Sequence, residues 1–351
     1  MAEFKPKLKA TGVGTLPLSE PESAVEYVLG QLPEVPFWPQ LVKRSPWEDM
    51  VIQAAPGLPG LKIDLEERRV DVDPEADLVA EMTRFYEADL SGDLSSLALT
   101  LETAPGYFTL VEKVTQNRGS VERLKGHVTG PVTFGLAVKD AEGRPVLHNP
   151  ELMEAISRGL GLKGAWQVLN FPAGLEPGLI FLDEPGLSGF GSAFMSLEKD
   201  EAIKLLNSAA EPIRNVGGLV GIHVCGNTDW SMVLAADIDV ANFDAFGFGE
   251  GFVLYTKEIE AFLERGGVLA WGIVPTLDYT GQETAEGLAA HLDELIGHLV
   301  GQGMDRSKII EQSLLTPACG LGVLSVANAE AILNLLVETS RLVRGEQFGR
   351  R

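Results

Sequence analysis

Cysteine is almost missing from this sequence: 351 residues hold only Cys225 and Cys319. They allow one disulfide at most, and Met1-Ala-Glu-Phe-Lys5 has no apolar core of a secretory signal, so the expectation is a reduced, cytoplasmic protein. Positive charge is also short. Lys and Arg number 28 against 50 Asp and Glu, giving a formal charge of −22 and a pI near 4.6, which disfavours nucleic acid and anionic membrane as partners. No apolar run approaches the roughly 20 residues that cross a bilayer. Neither Gly-x-Gly-x-x-Gly behind a strand nor Gly-Lys-Ser/Thr occurs, so the 39 glycines build no phosphate loop.

Against that scarcity, Gly221-Ile-His-Val-Cys-Gly-Asn227 places one of the two cysteines two residues from one of only five histidines. Residues i and i+2 of a strand point the same way, so His223 and Cys225 can close on one ion. The run before them is short, apolar and glycine-bounded, as in a buried parallel strand that delivers its last residues to a rim. Imidazole plus thiolate is a zinc pair. Cys319, in Leu315-Thr-Pro-Ala-Cys-Gly-Leu-Gly322, also ends an apolar run and opens onto a glycine-rich loop. A single cysteine or histidine is more often a core residue, but the three together favour a metal site. Three protein ligands leave one position for an outside ligand, which makes a site for chemistry rather than for structure.

Thiolate ligands donate charge and favour an exogenous thiol, bound as thiolate, as the nucleophile. Asp244, at the end of the next strand, is the candidate to complete the coordination when no substrate is present, with Glu250 as the alternative. Asp183 ends the apolar strand 178–183 and suits a substrate ammonium group. Its neighbour Glu184 reads either as a pocket carboxylate or as a helix N-terminal acid. His127, His148, His291 and His298 lack comparable context and read as surface or packing residues.

Apolar strand patterns fall at 8–17, 35–41, 124–130, 178–183, 218–224, 240–244, 267–275 and 313–319. Helical patterns follow most of them, at 21–32, 74–90, 106–117, 150–170, 196–215, 255–265, 281–302 and 325–344. A hairpin excursion is expected after the second strand, where 61–65 and 69–73 alternate around Glu66-Glu67-Arg68. Eight alternations predict an α/β chain folded as a (β/α)8 TIM barrel in a single domain over residues 1–351, with a doubly wound sheet as the alternative. A barrel brings the C-terminal strand ends to one face. Gly14, Thr15, Gln40, Thr129, Asp183, Glu184, His223, Cys225, Asp244 and Cys319 then converge.

Leu124-Lys-Gly-His-Val-Thr-Gly-Pro-Val-Thr133, Phe181-Leu-Asp-Glu-Pro185, His223-Val-Cys225 and Pro317-Ala-Cys-Gly-Leu321, in this order, resemble the C-terminal catalytic barrel of cobalamin-independent methionine synthase, from about Thr11 to near the C-terminus. The resemblance implies that His223, Cys225 and Cys319 bind zinc and that Asp244 falls where the family has a glutamate ligand. It also implies that the Gly14-Thr15-Leu-Pro17 turn holds the homocysteine carboxylate through its backbone and that Asp183 holds the amine. Gln40 stands near the position of a second amine-binding glutamate.

The sequence departs from that family in ways that bear on the methyl donor. It has one barrel where the family enzyme has two. Val274 stands where the family keeps a histidine that protonates the folate leaving group, and Ala137 where it keeps a tryptophan against the folate. Transfer from methylcobalamin expels cob(I)alamin, which needs no proton, so these losses favour a corrinoid donor. The expectation is a zinc-dependent methyltransferase that methylates homocysteine to methionine, from methylcobalamin or a corrinoid protein rather than methyltetrahydrofolate. Three alternatives stay open: a coenzyme M-type thiol methyltransferase, a uroporphyrinogen decarboxylase-like protein, and a non-catalytic zinc-binding protein.

Overall fold

The computed structural model describes residues 4–191 and 196–345, and the statements below concern those residues. The strands are β1 (Lys9–Ala10), β2 (Leu61–Asp64), β3 (Arg69–Val72), β4 (Lys125–Thr129), β5 (Leu179–Asp183), β6 (Leu219–Val224), β7 (Val240–Phe243), β8 (Val268–Val274) and β9 (Ser313–Pro317). β2 and β3 pair antiparallel as the expected hairpin, apart from the main sheet. The other strands form one parallel sheet of seven in the order β1-β9-β8-β7-β6-β5-β4. The strands from β4 to β9 are buried on both faces almost throughout, which is why they read as near-continuous apolar runs.

The expected second strand is where the reading and the structure part. Residues 36–40 lie between the two sheet edges, but only isolated parallel bridges join them, Phe37 to Lys125 on one side and Gln40 to Thr15 on the other. Pro36 and Pro39 have no N–H to give, so only Trp38 and Gln40 donate, to the carbonyls of Lys125 and Gly14. β1 is likewise only two residues long, and the rest of 8–17, expected as a strand ending in a Gly/Thr turn, turns through Gly12, Gly14 and Pro17. The architecture is therefore a mixed α/β fold around a curled parallel sheet of seven strands, compatible with a TIM-like barrel and short of its eight-strand count.

Proline at the first turn opens several of the helices, among them Pro21–Gln31, Pro105–Gln116 and Pro150–Leu169, as its fixed φ and missing N–H favour. Five described helices were not foreseen: Met50–Ala54, Pro131–Ala137, Trp230–Val233, Ala245–Phe252 and Arg306–Glu311. Helices Pro150–Leu169 and Lys199–Asn215 pack closely, and at Gly161 an added Cβ would lie 2.3 Å from the Ala209 carbonyl oxygen, so only glycine permits that approach. No described helix is long and apolar enough to cross a membrane.

What positions the site is the register. Phe4, Leu179, Phe181, Leu219, Val240, Val268, Ala270 and Leu314 form one buried apolar cluster on the sheet's inner face. Further along three of those strands, on the same face, stand Asp183 and Asn242, two residues after Phe181 and Val240, and His223, four residues after Leu219. Thr129 pairs with Asp183, Asp183 with His223, and His223 with Asn242. On these three strands polar residues thus stand above an apolar floor, while β4 sets Lys125 and His127 beside it, paired with Leu179 and Phe181.

Candidate metal centre

His223 is held inside the β6 ladder, and Cys225 follows just past its end. Cys319 comes two residues after β9, where the Ala318 amide donates to the Val274 carbonyl at 2.8 Å and a register shift at Gly272/Val274 turns the chain. Among the described residues, the ligand atoms of His223, Cys225 and Cys319 form a group, all within 4.8 Å of one another.

The imidazole is oriented by a partner that the sequence reading passed over. His223 Nδ1 lies 2.6 Å from Asn242 Oδ1. Asn242 Nδ2 donates to the Ala270 carbonyl at 2.9 Å and to Thr316 Oγ1 at 2.8 Å, so the amide's oxygen is the atom turned toward the ring. By that network Nδ1 carries the proton, and Nε2, which is buried and has no protein partner, keeps a bare lone pair.

The two sulfurs share what protons they have. The hydrogen bond from the Cys319 thiol, with His223 beside it, outweighs burial and brings the Cys225 thiol down, while the Cys319 thiol moves up. Burial opposes a charge on His223, but Cys225 and Asp183 outweigh it and raise the ring's pKa. One imidazole nitrogen with a free lone pair and two sulfurs, the Cys225 one readily a thiolate, match the donor set of a tetrahedral zinc site with an open fourth position.

Asp183 closes β5 beside His223, and its Oδ1 is buried without a partner. Burial lifts its pKa to about 6, with Lys125 and His223 pulling down and Cys225 pushing up. Lys125 is fully buried beneath it, donates to the Val13 carbonyl and lies 4.4 Å from the centre of the Phe181 ring. Burial brings this ammonium down to about 7 against the pull of Asp183.

The remaining expected residues divide. Gly14 and Thr15 reach the same end of the sheet, since the Thr15 carbonyl accepts from Leu321 N at 3.1 Å and its hydroxyl from Gly322 N at 3.0 Å, just past Cys319. Asp244 stands outside the group of three and caps helix Ala245–Phe252, accepting from Gly247 N at 2.7 Å. Glu250 is exposed on that helix. Gln40 is buried, and its amide donates to the Glu48 carbonyl at 3.0 Å and to Gln53 Oε1 at 2.9 Å. Val274 is buried and Ala137 exposed. Glu184 follows the structural reading, but for an unexpected helix: its carboxylate accepts from Val132 N, Thr133 N and Thr133 Oγ1, capping Pro131–Ala137 after β4.

Three polar residues of this region escaped the sequence reading: Asn242, Lys125 and His127. A signal existed for each. Asn242 is a lone amide inside an apolar run, and Lys125, His127 and Thr129 repeat at the strand period on one face of a strand that is otherwise buried.

No family model matches the chain, and no curated protein matches it in sequence. Solved structures do. A B12-independent methionine synthase from Shewanella sp. W3-18-1, determined with selenomethionine bound, is 17% identical at a TM-score of 0.63, over 96% of this chain and 98% of that one. A Listeria monocytogenes protein provisionally described as a vitamin-B12-independent methionine synthase is 15% identical at a TM-score of 0.58, over 94% and 86%. Along nearly its whole length, this chain is built on the fold of those proteins.

Proposed function

We propose that the chain is a zinc-dependent thiol methyltransferase that converts homocysteine to methionine. The observation that carries this reading is the group His223, Cys225 and Cys319, with the His223 Nε2 lone pair unpartnered and its tautomer set by Asn242. Zinc bound there would lower the pKa of an incoming thiol so that it reacts as a thiolate at neutral pH. The protein's own residues do the rest. Asn242 keeps the imidazole proton on Nδ1, and Asp183, one strand over, offers an unpartnered carboxylate oxygen to the substrate ammonium. The fold neighbour solved with selenomethionine supports an amino acid of this shape.

For the donor, the reading is methylcobalamin or a corrinoid protein. With such a donor, the thiol would give its proton to solvent and its sulfur would take the methyl group, the Co–C bond breaking with its electron pair left on cobalt. The support is Val274, an apolar and fully buried side chain whose carbonyl is taken by Ala318, at the position where the family resemblance implies an acid for a folate donor. The fold neighbours are described as B12-independent, which favours a second reading with a different methyl donor. The deciding assay is anaerobic: zinc-loaded protein with methylcobalamin or methyltetrahydrofolate, and homocysteine or coenzyme M. Conversion of the corrinoid spectrum with homocysteine supports the first reading. Equal methionine formation from methyltetrahydrofolate moves the donor to the second, and equal rates with coenzyme M overturn the acceptor. Asp183→Asn is expected to raise the homocysteine KM by about tenfold or more, as loss of a charged partner does.

A further inference from the structure

Buried polar atoms without partners are costly, roughly 1–3 kcal/mol each, so their distribution in a fold carries information. Seven such side-chain atoms occur among the described residues, and four of them belong to His127, Asp183 and His223 on the adjacent strands β4, β5 and β6. His223 Nε2 faces the two sulfurs, and Asp183 Oδ1 suits an ammonium. His127 contributes both of its ring nitrogens and has no role yet.

Its setting is built rather than incidental. His127 is 3% exposed, its ring stacks on Trp38 at 3.9 Å, and Trp38 is itself fixed by a 2.9 Å bond from its Nε1 to Gln167 Oε1. The same glutamine donates to the His127 carbonyl at 2.9 Å, so backbone and ring are both held. Nδ1 abuts Gly14: a Cβ added there would lie 2.6 Å from it, so the glycine is what admits the ring beside the Gly14–Thr15 turn. Burial, and then the nearby Lys125, hold the imidazole neutral, with one N–H donor that no protein group accepts. The sequence reading of His127 as surface or packing thus accounts for its stacking but not for its unpartnered nitrogens.

An amino-acid thiol has three groups to place. If sulfur sits at the metal centre and the ammonium at Asp183, the carboxylate branches from the same carbon as the ammonium and needs an N–H donor on a neighbouring strand. We infer that His127 is a substrate-binding residue that donates a ring N–H to the carboxylate of the amino-acid substrate beside the Gly14–Thr15 turn. The inference rests on the proposed homocysteine methyltransferase reading and adds the group that distinguishes an amino acid from a plain aminothiol.

The test is calorimetric binding to the full-length, zinc-loaded protein, with homocysteine and with 3-aminopropane-1-thiol, which is homocysteine without its carboxylate. His127→Phe keeps a ring on Trp38 and removes the donor, and His127→Gln keeps a donor; equal zinc content and thermal midpoint certify the fold. His127→Phe is expected to weaken homocysteine about tenfold or more and leave the aminothiol unchanged, with His127→Gln recovering part of the loss. Weakening of both thiols alike, or of neither, overturns the role of His127. Wild-type protein that binds neither thiol overturns the homocysteine reading itself. Should both His127 variants lose zinc or fold, the wild-type ratio decides: homocysteine bound no better than the aminothiol contradicts the inference, and a preference of tenfold or more upholds it.

Discussion

The molecule buries two kinds of polar residue, and they differ in whether the protein completes them. In the helical layer and its junctions, Glu184 accepts three hydrogen bonds, Gln167 bridges Trp38 and His127, and Lys163 donates to the Pro56 and Leu97 carbonyls. On β4 to β6, by contrast, His127 in mid-strand and Asp183 and His223 toward the strand ends keep atoms that nothing among the described residues answers. The first kind spends its hydrogen bonds on the fold. The second holds them in reserve, and that separates residues expected to govern binding from residues expected to govern stability.

The largest expected effect is at the reserve. Cys225→Ser, Cys319→Ser or His223→Ala should each weaken zinc by well over the hundredfold typical of losing an outer partner, and abolish methyl transfer with it. Metal analysis after dialysis checks this; full zinc occupancy in any of the three would break the comparison. Asn242 belongs to both kinds, since its own bonds are complete while it orients a ligand. Asn242→Ala is expected to cost about 10–100-fold in zinc affinity, measured by competition with a chelator.

Much of this was legible in advance. The His-x-Cys spacing and the lone Cys319 stood out because cysteine is so rare in the chain, and the apolar runs of the inner strands located their ends to within a residue or two. What escaped was set by partners distant in sequence. Glu184 reads as an acid before its own helix, yet it caps a helix some 50 residues earlier that packs alongside it, at |i−j| of 51 and 52. Asn242 gains its meaning only through a registered neighbour on β6. The strand at 35–41 looked regular because the pattern counted apolar residues and gave no weight to the N–H groups that Pro36 and Pro39 lack.

On the completed side, Glu184→Ala should lower stability by roughly 2 kcal/mol or more, by leaving buried amides unanswered, while zinc affinity stays within about twofold of wild type. Denaturant unfolding and zinc titration of the same variant check both halves, and a large loss of zinc affinity would place Glu184 with the site instead.

The last effect is a pH slope. Burial brings Lys163 from 10.5 down to about 7 in the folded chain, whereas the unfolded chain keeps that proton to about 10.5. The unfolded state then binds more protons between these values, so this residue makes stability rise with pH across the window. Unfolding curves between pH 7 and 9 should show wild type gaining on Lys163→Met; parallel behaviour would mean that the lysine stays charged against its carbonyls.

The most direct test of the central claim is X-ray absorption at the zinc edge of the purified protein, before and after addition of homocysteine. The account predicts about one zinc per chain bound by one imidazole nitrogen and two sulfurs with a light atom in the fourth position, changing to three sulfurs when homocysteine is added. A protein that holds no zinc, or a zinc shell that homocysteine leaves unchanged, would contradict it.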